Sequence, residues 1–364
     1  TLADNARSTL RFPLNALGDT GIGRFRLQAT AGDIRLTREW EISVRSPYPS
    51  ERRSRVEQLK GPGNVDLAAN TQGLLPATVR SRVSASTRVP LPVGQLVGDL
   101  LEYPYGCIEQ TTSKGYPYVL LDDAGAAALG MPKVDADKRR ANVQFAIDRI
   151  ASMQLDNGHF GFWPGSGEYS DPQITPYVVE FLQDAEAAGF TVPARVMQKS
   201  LERLREDLLS GGAISWDRGW GDIGDHMRIG FNAHAGLVLA RVNQAPLGTL
   251  RNVYDNSKDK ARGPLPLMRL AVALKLAGDS ERANAAAKLA FGEVYARGNG
   301  YWGDYFSGLG DRAATLALAA QHGFLGDAER QRVLNVGKEA QATRWIGTHD
   351  SLALVKLARA LAGK

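Results

Sequence analysis

Cys107 is the only cysteine in 364 residues, and Gln110 follows it by three positions, inside Tyr103-Pro104-Tyr105-Gly106-Cys107-Ile108-Glu109-Gln110. At a turn or a helix start, positions i and i+3 share a face, with Cβ atoms roughly 5–6 Å apart. A thiolate at that range can attack the side-chain amide carbon and expel ammonia, because tethering raises the effective concentration of the reactants; a Cys–Gln thioester remains. Such an acyl donor lasts only where water is kept out. Tyr103, Pro104, Tyr105, Tyr116, Pro117 and Tyr118 offer rings with polar tips for that purpose, and Gly106 lets the backbone turn tightly beside the thiol. The plain alternative for Cys107 is a small buried hydrophobe. Glu109 also has two readings: a group that orients the pair or moves a proton, or a carboxylate favoured in the first turn of a helix.

The elements around this stretch change period. Over residues 9–44 the pattern is strand-like: Phe25, Leu27 and Ala29 alternate with polar residues, Ala31-Gly32-Asp33 signals a turn, and Ile34, Leu36, Trp40, Ile42 and Val44 resume the alternation. An antiparallel β segment with one wet face is expected, ended by the linker Ser46-Pro47-Tyr48-Pro49-Ser50. Further strand signals lie at 54–59, 64–68 and 79–85. After Pro92 the period is 3.6. Ile174, Tyr177, Val178, Phe181, Leu182 and Ala185 make one apolar stripe, begun by Asp171-Pro172 and stopped by Gly189; Met197, Leu201, Leu204 and Leu208 make a second, and Ile229, Ala233, Leu237 and Ala240 a third. More helices are read at 137–154, 265–277, 280–296, 312–322, 328–341 and 350–361. Between hairpins a glycine–aromatic loop recurs at 157–163, 216–221 and 298–303, which argues for repeated units with the aromatics as plugs.

At this length two or more domains with ample core are expected, and no apolar run is long enough to cross a bilayer. A single cysteine excludes an internal disulfide framework, and the scattered histidines show no metal spacing; neither metal nor cofactor is expected. The net charge of +5 is spread along the chain in short clusters such as Lys138-Arg139-Arg140. That is a solvated surface rather than a nucleic-acid interface. The opening residues lack the basic start and apolar stretch of a signal peptide.

Gly-Cys-Ile-Glu-Gln-Thr-Thr resembles the Gly-Cys-x-Glu-Gln thioester motif of the alpha-2-macroglobulin and complement superfamily, and the Tyr-Pro-Tyr-Gly lead-in resembles its bacterial, periplasmic branch. The likeness runs from about Leu75 through Lys364, including Gly236-Leu237-Val238-Leu239-Ala240-Arg241 and Gln244-Ala245-Pro246-Leu247-Gly248. It implies a mainly α fold, an α/α toroid of helical hairpins, preceded by antiparallel β-sandwich strands. The implied division is a macroglobulin-like β segment at 1–46, the first part of a CUB-like β-domain at 47–88 and the thioester domain at 89–364, together an internal piece of a longer chain. The implied function is protease inhibition without turnover: after cleavage of a bait region elsewhere in the parent, the Cys107–Gln110 thioester captures the attacker through a lysine amine. The implied partners are proteases and the other macroglobulin and CUB domains of the parent, the implied location the periplasm, with the parent anchored to the inner membrane as one arrangement; no direct membrane insertion of this segment is implied. Tyr103 and Tyr105 would shield the bond. In some complement relatives a histidine more than a hundred residues downstream assists transfer; His226 stands at a comparable remove, in flanking residues that depart from the complement pattern, and His234 follows it.

Two other classes compete. Enzymes of glycosidase, lyase or isoprenoid type on the same toroid use carboxylates near the ring, here Asp217, Asp222, Asp225 and Asp304. A cysteine hydrolase would pair Cys107 with His226 or His234.

Overall fold

The computed structural model describes residues 6–18, 20–49, 51, 53, 63–64, 66, 71–81, 83, 91–166, 173–211, 221–297 and 307–362. The chain divides into two compact units, Thr1–Ala85 and Ser86–Lys364.

In the first unit, β1 (Gly21–Ala31) and β2 (Ile34–Val44) pair antiparallel, with Phe25 opposite Trp40 and Ala29 opposite Leu36. The two-residue connection has Gly32 at φ 58, which fits a turn whose first central position is left-handed and therefore favours glycine. One face of the ribbon carries Phe25, Leu27, Ala29, Leu36, Trp40 and Ile42. The other carries the cross-strand ion pairs Arg24–Glu41 (2.9 Å) and Arg26–Glu39. The sequence leads one to expect a single wet face; within the described residues both are exposed, Trp40 and Ile42 included. Residues 9–18, 79–81 and 83 form no strand, while the strand reading at 54–59 and most of that at 64–68 fall outside the described residues, as do residues 82, 84 and 85.

The second unit contains fourteen α-helices among its described residues: α1 (Val93–Glu102), α2 (Ile108–Leu120), α3 (Asp123–Ala128), α4 (Ala136–Ala151), α5 (Ile174–Ala187), α6 (Ala194–Leu209), α7 (Gly221–Ala240), α8 (Leu247–Ser257), α9 (Pro264–Leu276), α10 (Ser280–Ala290), α11 (Glu293–Arg297), α12 (Gly308–His322), α13 (Arg330–Ala342) and α14 (Thr348–Ala362). The fold is mainly α, as expected. Six helices pack in a closed circuit, α2 on α5, α5 on α7, α7 on α9, α9 on α12, α12 on α14, and α14 back on α2. Outside them, α1 lies against α14 and α2, α4 against α2 and α5, α6 against α5 and α7, and α8 against α7 and α9, while α10 backs α9 and α13 backs α12. Burial follows this division. Outer α6 hides one stripe, Met197, Ser200, Leu201, Leu204, Asp207 and Leu208. Inner α9 is buried from Pro264 to Leu274 on every side, as a helix with neighbours all round must be.

The inner helices share a direction, because neighbours touch at their N-terminal ends. Glu109 of α2 meets His349 of α14, Ser113 of α2 meets Tyr177 of α5, and Gln173, just before α5, donates to the Met227 carbonyl of α7. His226 of α7 accepts from the backbone N–H of Arg262 before α9, and Asp350 of α14 accepts from that of Ser307 before α12. Deeper in the ring, Glu180 of α5 binds Lys356 of α14 (2.7 Å) and His234 of α7 (2.8 Å). Burial pushes the Glu180 carboxyl up, but Lys356, His234 and Arg241 outweigh it and hold it well below the ordinary range. No helix among the described residues is long and apolar enough to cross a membrane.

Candidate functional site

Cys107 is the N-cap of α2. The first N–H groups of a helix have no partner within it and must find one elsewhere. Here the reacting pair itself supplies partners. The Cys107 N–H donates to Oε1 of Gln110 (3.2 Å), while the Cys107 sulfur faces the backbone N–H groups of Gln110 and Glu109. The two side chains fold back on one another across a single turn, in the reciprocal arrangement usual for Ser and Glu at a helix start. Ile108 N–H donates to the Phe162 carbonyl (3.0 Å), so the first glycine–aromatic loop braces the site helix. That loop is pinned by His159, whose ring nitrogens meet Thr175 Oγ1 (3.0 Å) and Asp207 Oδ2 (3.0 Å), and by Phe160, wholly buried. The turn before Cys107 is held through the Gly106 carbonyl, which accepts from Arg149 of α4 and from Thr111.

Burial pushes the Cys107 thiol up, and the Glu109 charge adds to this. The backbone N–H groups of Gln110 and Glu109 favour the thiolate without overcoming it. The resting thiol is therefore protonated at neutral pH, and the same N–H groups stand ready for negative sulfur.

Glu109 is buried, and three donors surround it: His349 Nδ1 at 2.9 Å, Thr348 Oγ1 at 2.8 and 3.0 Å from its two oxygens, and Ser113 Oγ at 2.7 Å. Since the Ser113 proton is given to Glu109, Tyr177 must donate its own to Ser113 (2.7 Å). The Tyr177 ring also lies over that of His349, centroids 4.1 Å apart. Burial pushes Glu109 up; the charge and hydrogen bond of His349, with Ser113 and Thr348, prevail and bring it below its ordinary value.

Tyr103 is half-buried and Tyr105 is 64% exposed, their rings meeting edge-on at 5.7 Å. Tyr116 turns into the core, bonded to Asp184 and lying beneath Lys356. His226 and His234 belong to α7, which α5 separates from α2 in the ring, and their bonds are to Arg262 and Glu180. The structure thus brings His349, not His226, to the Cys–Gln turn. Nothing in the spacing of the sequence singled it out. Among the candidate carboxylates, Asp217 and Asp304 and the side chain of Asp222 lie outside the described residues; Asp225 is paired with Arg228 and Lys260. The glycine–aromatic loops at 216–220 and 298–303 also lie outside them.

No family model matches the chain. An alpha-2-macroglobulin of Xylella fastidiosa is 39% identical over 368 residues, spanning 99% of this chain. The chain belongs to the alpha-2-macroglobulin family. It spans 22% of the length of that relative. Among solved structures, native Escherichia coli alpha-2-macroglobulin from domain MG7 to its C-terminus matches with a TM-score of 0.74 at 31% identity, over 95% of this chain and 55% of that one. A Salmonella alpha-2-macroglobulin reacted with methylamine matches with a TM-score of 0.72 at 30% identity, over 95% of this chain and 23% of that one.

Proposed function

We propose that Cys107 and Gln110 close into an internal thioester and that the parent protein uses it to trap attacking proteases. The observation that carries this is the reciprocal capping of the two side chains across the first turn of α2. In closure, the Cys107 sulfur attacks Cδ of Gln110, and the charge that develops on Oε1 meets the Cys107 N–H already donating to it, an oxyanion-type contact. The C–N bond breaks and ammonia leaves, carrying the thiol proton. In capture, a lysine amine of the protease attacks the same carbon. The C–S bond breaks, the amine loses a proton to the sulfur, and an amide to the protease remains with Cys107 as a free thiol. The Glu109 and Gln110 N–H groups and the helix dipole stabilise the leaving sulfur. One bond is consumed per chain, so the protein is an acyl donor used once.

On this reading a bait region elsewhere in the parent is cleaved first, and the β-hairpin and the residues that follow it belong to macroglobulin-like and CUB-like domains. The parent works in the periplasm, with anchoring to the inner membrane as part of the same picture. Methylamine, with which the Salmonella relative was reacted, is a small model of the lysine amine. The test is the intact mass of the full-length parent with thiol titration. A mass short by one ammonia, with a thiol released only on methylamine addition and both features absent in Gln110→Ala, is the expected result. A full-sequence mass and a free Cys107 from the outset would overturn the reading.

A further inference from the structure

Glu109 lies in the sequence between the two reacting residues, and its carboxylate is directed into the joint where the ring closes. A carboxylate serving only the helix dipole has no need to leave water. This one is 8% exposed, and two of its donors, Thr348 and His349, come from α14. The third, Ser113, is braced by Tyr177 of α5, whose ring also lies over His349. One side chain therefore ties together the N-terminal turns of three ring helices. Its own backbone N–H faces the Cys107 sulfur, and Gln110 follows it directly in the first turn of α2.

We propose that His349 is a positioning residue of the thioester: through Glu109 it clamps the first turn of α2 to the start of α14 and holds Cys107 and Gln110 in the arrangement in which their bond closes and persists. The proposal rests on the thioester reading above. A charge-assisted bond from the imidazole N–H to a buried carboxylate is stronger and more directional than one between neutral groups. Thr348 supplies a second, independent hold on the same oxygens. The integrity of the warhead is thereby tied to closure of the ring: α14 cannot draw away from α2 without freeing the residue between cysteine and glutamine.

The test uses the full-length parent, with intact mass and methylamine-released thiol reporting thioester content and thermal unfolding reporting the fold. His349→Ala should lower thioester content, or speed its spontaneous loss, by roughly tenfold. His349→Asn, whose side-chain N–H can still reach Glu109, should restore most of it while unfolding at the same temperature as His349→Ala. Thr348→Val, which removes only the hydroxyl, should show a smaller loss in the same direction. Wild-type thioester content and release rate in both His349→Ala and Thr348→Val overturn the proposal, as does a loss in His349→Ala that His349→Asn leaves unrepaired. Should His349→Ala not fold, wild-type behaviour of Thr348→Val is the overturning result. Wild-type protein with a full-sequence mass and free Cys107 removes the thioester reading itself, and the proposal falls with it before any variant is made.

Discussion

His234 is wholly enclosed in the ring, with its Nε2 proton given to Glu180. Burial and the Arg269 cation drive its titration down to about 3, against the pull of Glu180, so the folded imidazole is neutral. An unfolded histidine titrates near 6.5, and below that pH the unfolded chain binds the extra proton. This contribution to stability is thus full above about pH 6.5 and declines as the pH falls toward 3, by roughly 2 kcal/mol on reaching pH 5. Urea unfolding at pH 7 and pH 5 should show the decline, and His234→Gln should reduce it. His322 supplies a remainder of the same sign, since burial, Arg241 and Lys275 hold it below its ordinary value. Glu109, Glu180 and Asp207, whose carboxyls are held below their ordinary values by their hydrogen-bond and charge partners, contribute losses only in more acid solution. An equal midpoint at both pH values would refute a neutral His234. At this scale the meeting of Cys107 with Gln110 was legible, because a spacing of three sets both on one turn. The sequence did not disclose His349 or Thr348: Thr348 meets Glu109 across 239 positions, and no local pattern encodes a contact that exists only once a ring has closed.

Helix α2 shows how an element can form against its own propensities. Its sequence holds two threonines, a serine, Gly115 and an internal Pro117, all weak helix formers or breakers. What sustains it is packing, with Ile108 and Tyr116 wholly buried. Gly115 permits the close approach: a Cβ there would stand 2.9 Å from the Cβ of Ala146 on α4 and 2.9 Å from the Phe181 ring on α5. Gly115→Ala gains about 1 kcal/mol of helix propensity but overpacks that joint by roughly 1–3 kcal/mol, so a net loss is expected. Gly98→Ala in α1, where a Cβ would meet nothing within 4 Å, should instead stabilise by up to about 1 kcal/mol. Denaturant midpoints of the two variants should move in opposite directions; a shared direction would contradict the packing account. The same physics explains which helices were readable. Outer α6 announces itself by one apolar stripe, whereas α2 offers poor propensity and no clean stripe. Outer α8 ends in a short 3-10 turn at Lys258–Lys260 and was missed as well. The reading at 280–296 merged α10 with α11, which are separate helices.

For the whole molecule, the succession of helices was legible as a repeat from the residues themselves, and the ring they make only through the family resemblance, since period says how a helix faces its core and nothing of which helix comes next to it. Among the described residues, both buried apolar clusters of Ser86–Lys364 are made of that unit's residues. Residues 86–364 produced alone should therefore unfold in one helical transition at the midpoint seen in the full chain, followed by circular dichroism. A markedly lower midpoint would show that residues 1–85 contribute to it. The meeting of α1 with α14 has one more consequence. The first and last helices of Ser86–Lys364 are neighbours, so their outer ends can be joined by a short peptide and the chain reopened at another hairpin loop. A circular permutant of this kind would take the same walk round the ring from a different starting point, which makes position along the chain, unlike position in the circuit, incidental to the fold.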